Sequence, residues 1–171
     1  MSLPIVLLSG ELSSAIYQDV GRDILRINNE MFLSRYNLVM KSHGGDIVSA
    51  LNFVDWVQSL GVKFSVKIYE AQSAAAFVAF SLADEIELHS FAEIGFHLGE
   101  IPVSINDIMP NGQLPQTMRE NLSRYTNAMS NLMKKLGIDM DKFLMAELCG
   151  SGWLRLSAKE CLKRGMVQRL F

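Results

Sequence analysis

Glu70-Ala71-Gln72-Ser73-Ala74-Ala75-Ala76-Phe77 is the stretch on which the fold turns. Before it, Val62 to Tyr69 alternates apolar and polar residues, the period of a strand. After it, the alanine-rich run ending near Ala83 has the composition of a helix. Ser73 therefore stands where a strand hands over to a helix. A serine there can cap the helix, or it can be a nucleophile held in the field of the helix N-terminus. Local sequence leaves both open.

Outward from this junction, strand and helix signals alternate. Ile5 to Leu8 reads as a buried strand stopped by Gly10. A helix comes next, capped by Ser13 or Ser14, with Ile16, Val20, Ile24 and Leu25 on one stripe. Tyr36 to Met40 is a second strand, running into Lys41-Ser42-His43-Gly44-Gly45-Asp46, a tight turn. Asp46 caps the next helix, whose apolar stripe takes in Ile47, Leu51, Val54 and Val57 or Leu60, and Gly61 ends it. Beyond the Ser73 helix come strands at Glu85–Leu88 and Glu93–Phe96, the second ending at His97. This alternation predicts an α/β fold with a largely parallel sheet.

Leu98 to Gln116 breaks the pattern with Gly99, Pro102, Pro110, Gly112 and Pro115, and reads as a long irregular segment. Thr117 to Leu136 is a long helix with Met118, Leu122, Tyr125, Met129, Leu132 and Met133 on one face, stopped by Gly137. Met140 to Leu148 is a shorter helix, and Cys149 to Gly152 a turn. Ser157-Ala158-Lys159-Glu160 is a capping box, Gly165 closes its helix, and Val167 to Leu170 is a last strand.

A chain of 171 residues, 49% hydrophobic, is expected to fold as one domain, 1–171. Its net charge of −2 and lack of a basic run speak against nucleic acid. No apolar run approaches the roughly 20 residues of a membrane span, and the opening run Pro4 to Leu8 reads as too short for a signal-peptide core and has no basic leader. Cys149 and Cys161 show neither metal-ligand spacing nor a disulfide framework, which fits a reducing, cytoplasmic setting.

Gly44-Gly45, Ser73 and His97 all fall at strand ends, and in a parallel layer the C-terminal ends share one edge. Converging there, Ser73 could attack an acyl carbon and His97 could accept its proton. The Gly45 and Ala74 amides could face the developing oxyanion. The plainer alternatives are a helix cap, a satisfied strand-end histidine and a simple turn.

Several motifs, in order, resemble the proteolytic subunit of the Clp protease. Leu38 to Ile47 looks like that family's strand leading into N-S-P-G-G. Ala71-Gln72-Ser73-Ala74-Ala75-Ala76-Phe77 is similar to its nucleophile segment A-A-S-M-G-A-F, and Ile94-Gly95-Phe96-His97 to its V-M-I-H. Leu156 to Val167 resembles its L-S-A-x-E tail. The resemblance implies a ClpP/crotonase-type fold of stacked strand–strand–helix units, with a handle region at 98–136. It implies a serine endopeptidase that cleaves peptides or unfolded proteins inside an oligomeric chamber. The 117–136 helix would join two stacked rings, and residues 98–116 would bind peptide backbone. Ser73 becomes the nucleophile, His97 the base, and the Gly45 and Ala74 amides the oxyanion hole. No metal or organic cofactor takes part; ATP would belong to an unfoldase partner.

Three features depart from the family. The triad aspartate aligns with Cys149 without gaps; a two-residue insertion brings Glu147 there instead, with Asp139 and Asp141 as fallbacks. His43 replaces the proline of S-P-G-G, as a solvated loop histidine or a second titrating group at the site's edge. The first strand begins almost at once, where the family has an axial segment that contacts the unfoldase. Two other functions are therefore carried alongside: a catalytically silent ring protein, and an acyl-CoA enzyme of the crotonase type. A Ser-Lys membrane peptidase using Lys63 or Lys67 is a lesser variant.

Overall fold

The structure is a computed structural model that describes residues 3–31, 34–97, 113–148 and 152–171, without the side chains of Met31 and 145–148. Its elements are β1 (Ile5–Leu12), α1 (Ser14–Met31), β2 (Arg35–Gly45), α2 (Ile47–Ser59), β3 (Lys63–Gln72), α3 (Ala74–Leu82), β4 (Ala83–Leu88), β5 (Glu93–Phe96), α4 (Gln116–Lys135), α5 (Met140–Leu148), β6 (Leu154–Ser157), α6 (Ala158–Lys163) and β7 (Arg169–Leu170). This is an α/β fold with a mostly parallel sheet. Strands run β1-β2-β3-β4-β7, and β5 joins the end of β3 and carries β6 beyond it. Among the described residues only the β5–β6 pair is antiparallel.

The path of β3 positions the site. Its first part pairs with β4, from Phe64↔Ala83 to Ile68↔Leu88. Its last residues pair instead with β5, Ala71↔Ile94 and Gln72↔Gly95. On the other side, Lys41 and Ser42 of β2 pair with Glu70 and Ala71. Three adjacent parallel strands thus end together, and the residues at their C-terminal ends meet at one edge.

Helix α3 is apolar nearly all round, and eight of its nine residues are buried. Such a helix belongs inside a layered fold rather than on its surface. The caps behave as expected. The Asp46 carboxylate accepts from the Val48 and Ser49 amides at 2.9 and 3.4 Å. Ser157 and Glu160 complete their capping box, and Gly61, Gly137 and Gly165 take the left-handed conformation just past helix ends.

Five readings need correction. Gly10 does not stop β1: with φ of 76° it forms a bulge between Ser9 and Glu11, and the strand continues to Leu12. Gly44 and Gly45 are not a turn after β2 but its last two residues, paired with Glu11 and Leu12. Leu25 is exposed instead of joining the α1 stripe. Strand β6, unmarked by any local signal, lies where only the capping box was expected. In α4, Tyr125, Met129, Leu132 and Met133 reach the core, whereas Leu122 is exposed. Among the described residues no helix is long and apolar enough to cross a membrane.

Candidate active site

Ser73 directly succeeds β3, and its backbone has φ of 55° and ψ of −128°. An L side chain rarely adopts that conformation, and it marks a sharp strand-to-helix turn. The Ser73 hydroxyl makes no capping bond to α3. It lies 2.6 Å from His97 Nε2 instead. The hydroxyl is therefore engaged with the imidazole and does not cap the helix that follows it.

The convergence has a backbone cause. The Ser73 amide donates to Gly95 O at 2.8 Å, extending the β3–β5 pairing by one residue. His97, two residues past Gly95, is thereby delivered beside the Ser73 side chain. Its own backbone is fixed from the other side, because the Tyr125 hydroxyl of α4 donates to His97 O at 2.7 Å.

The glycines close the third side. A Cβ on Gly44 would stand 2.6 Å from Ser73 Cβ and 2.7 Å from Gln72 O, so only glycine lets β2 approach this closely. A Cβ on Gly45 would meet Leu12 O at 2.1 Å. The Gly44 amide donates to Ser42 Oγ at 3.0 Å, and the Asp46 amide to Leu12 O at 2.8 Å. The buried Ser42 hydroxyl in turn donates to Gly10 O at 2.5 Å, locking β2 to β1 just before the glycines. In α3, Phe77 N donates to Ser73 O at 3.1 Å, so the Ala74 amide belongs to the first turn, whose N–H groups have no acceptor within the helix.

An aromatic group covers the imidazole. The rings of His97 and Trp153 have centroids 4.1 Å apart and planes inclined by 31°. Trp153 just precedes β6 and lies over Gly95, where a Cβ would come within 3.0 Å of its ring. Arg155 packs against the indole, its guanidinium carbon 5.4 Å from the ring centroid, and pairs with Glu93 at 2.8 Å. Sequence reading missed Trp153. Its place beside His97 follows from the β5–β6 pairing, which no local signal marks.

Ser73 with the adjoining Ala74, His97 and the Gly44-Gly45 segment are therefore brought together. Glu147 lies on α5, with its side chain outside the described residues, as is Cys149. Asp139 is exposed and caps α5, accepting from the Asp141 amide at 2.9 Å; Asp141 is exposed as well. His43 is 77% exposed and sits 3.2 Å from Glu70, at the site's outer rim. The segment 98–112 lies outside the described residues. Cys161 is fully buried, and burial, with the nearby Glu160 charge, pushes its thiol up to about 11, so it is no rival nucleophile. Among the described residues no group of three or more His, Cys, Asp or Glu side chains could hold a metal.

Fold and site together define an α/β chain with a Ser-His pair at the C-terminal edge of a parallel sheet. No protein-family model and no curated protein matches the chain.

Proposed function

We propose that this chain is a serine endopeptidase of the Clp proteolytic-subunit kind, cleaving peptides or unfolded proteins inside a cytoplasmic oligomeric chamber on a ClpP/crotonase-type fold. The observation that carries this reading is the 2.6 Å contact between Ser73 Oγ and His97 Nε2, made by a serine with φ of 55°. A serine serving only as a cap has no need of that backbone. The ordered motif resemblance supports the same reading.

The chemistry comes from the placement. Ser73 Oγ attacks the scissile carbonyl carbon while its proton passes to His97 Nε2. The carbonyl oxygen, now negative, lies against the Gly45 and Ala74 amides; losing one such donor typically costs about 3–4 kcal/mol of barrier. When the C–N bond breaks, His97 returns the proton to the leaving amine, and an ester on Ser73 remains. Water then attacks that ester, with His97 again accepting the proton and giving it back to Ser73. Glu147 is the proposed carboxylate that holds the imidazolium. An ATP-dependent unfoldase would feed the chamber.

The test compares the wild type with Ser73→Ala. A fluorophosphonate should label the wild type alone, and turnover of a fluorogenic peptide should fall by roughly 10³-fold or more. Equal labelling of both chains would remove Ser73 from the role.

A further inference from the structure

We propose that Trp153 is a positioning residue, an aromatic clamp that holds the His97 imidazole against Ser73 and stabilises the imidazolium formed as Ser73 attacks. The inference rests on the serine-peptidase reading for its purpose, though not for the contact itself.

The geometry has three parts. First, the indole lies against the face of the imidazole, with centroids 4.1 Å apart. A face contact leaves the ring's edge to hydrogen bonding, so Nε2 keeps its 2.6 Å approach to Ser73 Oγ. Second, the indole is held in place. It rests on Gly95, where any side chain would displace it, and Arg155 packs against it while bound to Glu93. Third, the charge logic favours the reaction. As the base, His97 takes up a proton when Ser73 attacks, and an indole face attracts a cation more than a neutral ring. The clamp thus acts more strongly on the charged intermediate than on the resting site.

Among the described residues, the groups facing His97 include Ser73, the Tyr125 hydroxyl on its carbonyl, and Trp153 with the Arg155–Glu93 pair behind it. The Arg155 cation opposes an imidazolium, and Glu93 offsets it.

The test uses Trp153→Leu and Trp153→Phe. Leucine leaves a smaller apolar side chain with no π face; phenylalanine keeps the face. In Trp153→Leu the NMR titration midpoint of His97, assigned against His97→Gln, should move to lower pH by roughly half a unit. The kcat for a fluorogenic peptide should fall about tenfold, with KM within roughly twofold. Trp153→Phe should recover most of both. Equal midpoints in the two variants would overturn the clamp.

A second measurement needs neither variant. With Trp56→Phe, Trp153 is the only remaining tryptophan, and its emission should be quenched as His97 gains its proton, with the transition gone in His97→Gln. No transition would overturn the stacking. The quench without any peptide turnover in the wild type leaves the clamp standing and defeats the peptidase reading. Turnover without the quench does the reverse.

Discussion

Ser73 is the one non-glycine residue with positive φ among those described. Such a backbone costs on the order of 1–3 kcal/mol and persists only where its surroundings overdetermine it. Here the Ser73–Gly95 backbone bond, the first turn of α3 and Gly44 all press on the same residue. Gly44 is the sensitive point. An alanine there would put its Cβ 2.6 Å from Ser73 Cβ, and neither backbone can yield without moving the other. Gly44→Ala is therefore expected to lower kcat/KM for a fluorogenic peptide by about 10²-fold or more, since a displacement of about 1 Å has that effect. The folded chain should survive, and circular dichroism beside the rate assay checks both. This scale was only half legible in the sequence. Ser73 was visible as a strand-to-helix residue, but a cap and a nucleophile call for the same residue type. They differ in φ and in where Oγ points, and those depend on strands distant in the chain.

At the scale of elements, the sheet edge shows where local signals run out. Strands β3 and β5 were readable from apolar runs, and α2 and α6 from their caps. Strand β6 has only Leu154-Arg155-Leu156-Ser157, and it owes its existence to antiparallel pairing with β5, some 60 residues earlier. The last strand, readable as Val167–Leu170, is only Arg169–Leu170 here, and it too is held by tertiary partners. Glu87 of β4 binds Arg169 of β7 and lies 3.4 Å from Lys67 of β3, with its side chain only 13% exposed. Burial alone would raise the Glu87 pKa, but the Arg169 hydrogen bond and the two cations outweigh it and hold the carboxyl below its ordinary 4.5. A folded-state value below the unfolded one stabilises the protein at higher pH, and this is lost as pH falls through the folded value. Glu87→Gln should therefore cost about 1–2 kcal/mol in urea unfolding at pH 7. The gap to wild type should narrow as the pH drops below 4.5. A gap independent of pH would show that the pair contributes packing rather than charge.

Across the whole molecule, the core is one apolar cluster that runs from Val6 in β1 to Val167 before β7 and takes in the second half of α4. The first half of α4 stands apart from it. Tyr125, Met129, Leu132 and Met133 are buried, and Lys135 reaches Phe80 O at 3.2 Å, whereas Leu122 is 43% exposed one turn earlier. The apolar face was legible in the sequence; that only its latter part meets this chain's own core was not, because periodicity gives a face and not its partner. In the proposed assembly, this uncovered stretch is what would join ring to ring. Leu122→Arg tests that directly. The side chain is outside the core, so the fold should tolerate it, while a charge in an apolar seam between copies should not be tolerated. The 19.1 kDa chain is expected to form a large oligomer by native mass spectrometry, and the variant one of half that mass, with unfolding by urea unchanged within about 0.5 kcal/mol. An unaltered assembly would assign the contact between rings to some other element, and a variant that unfolds early would place Leu122 in the chain's own packing after all.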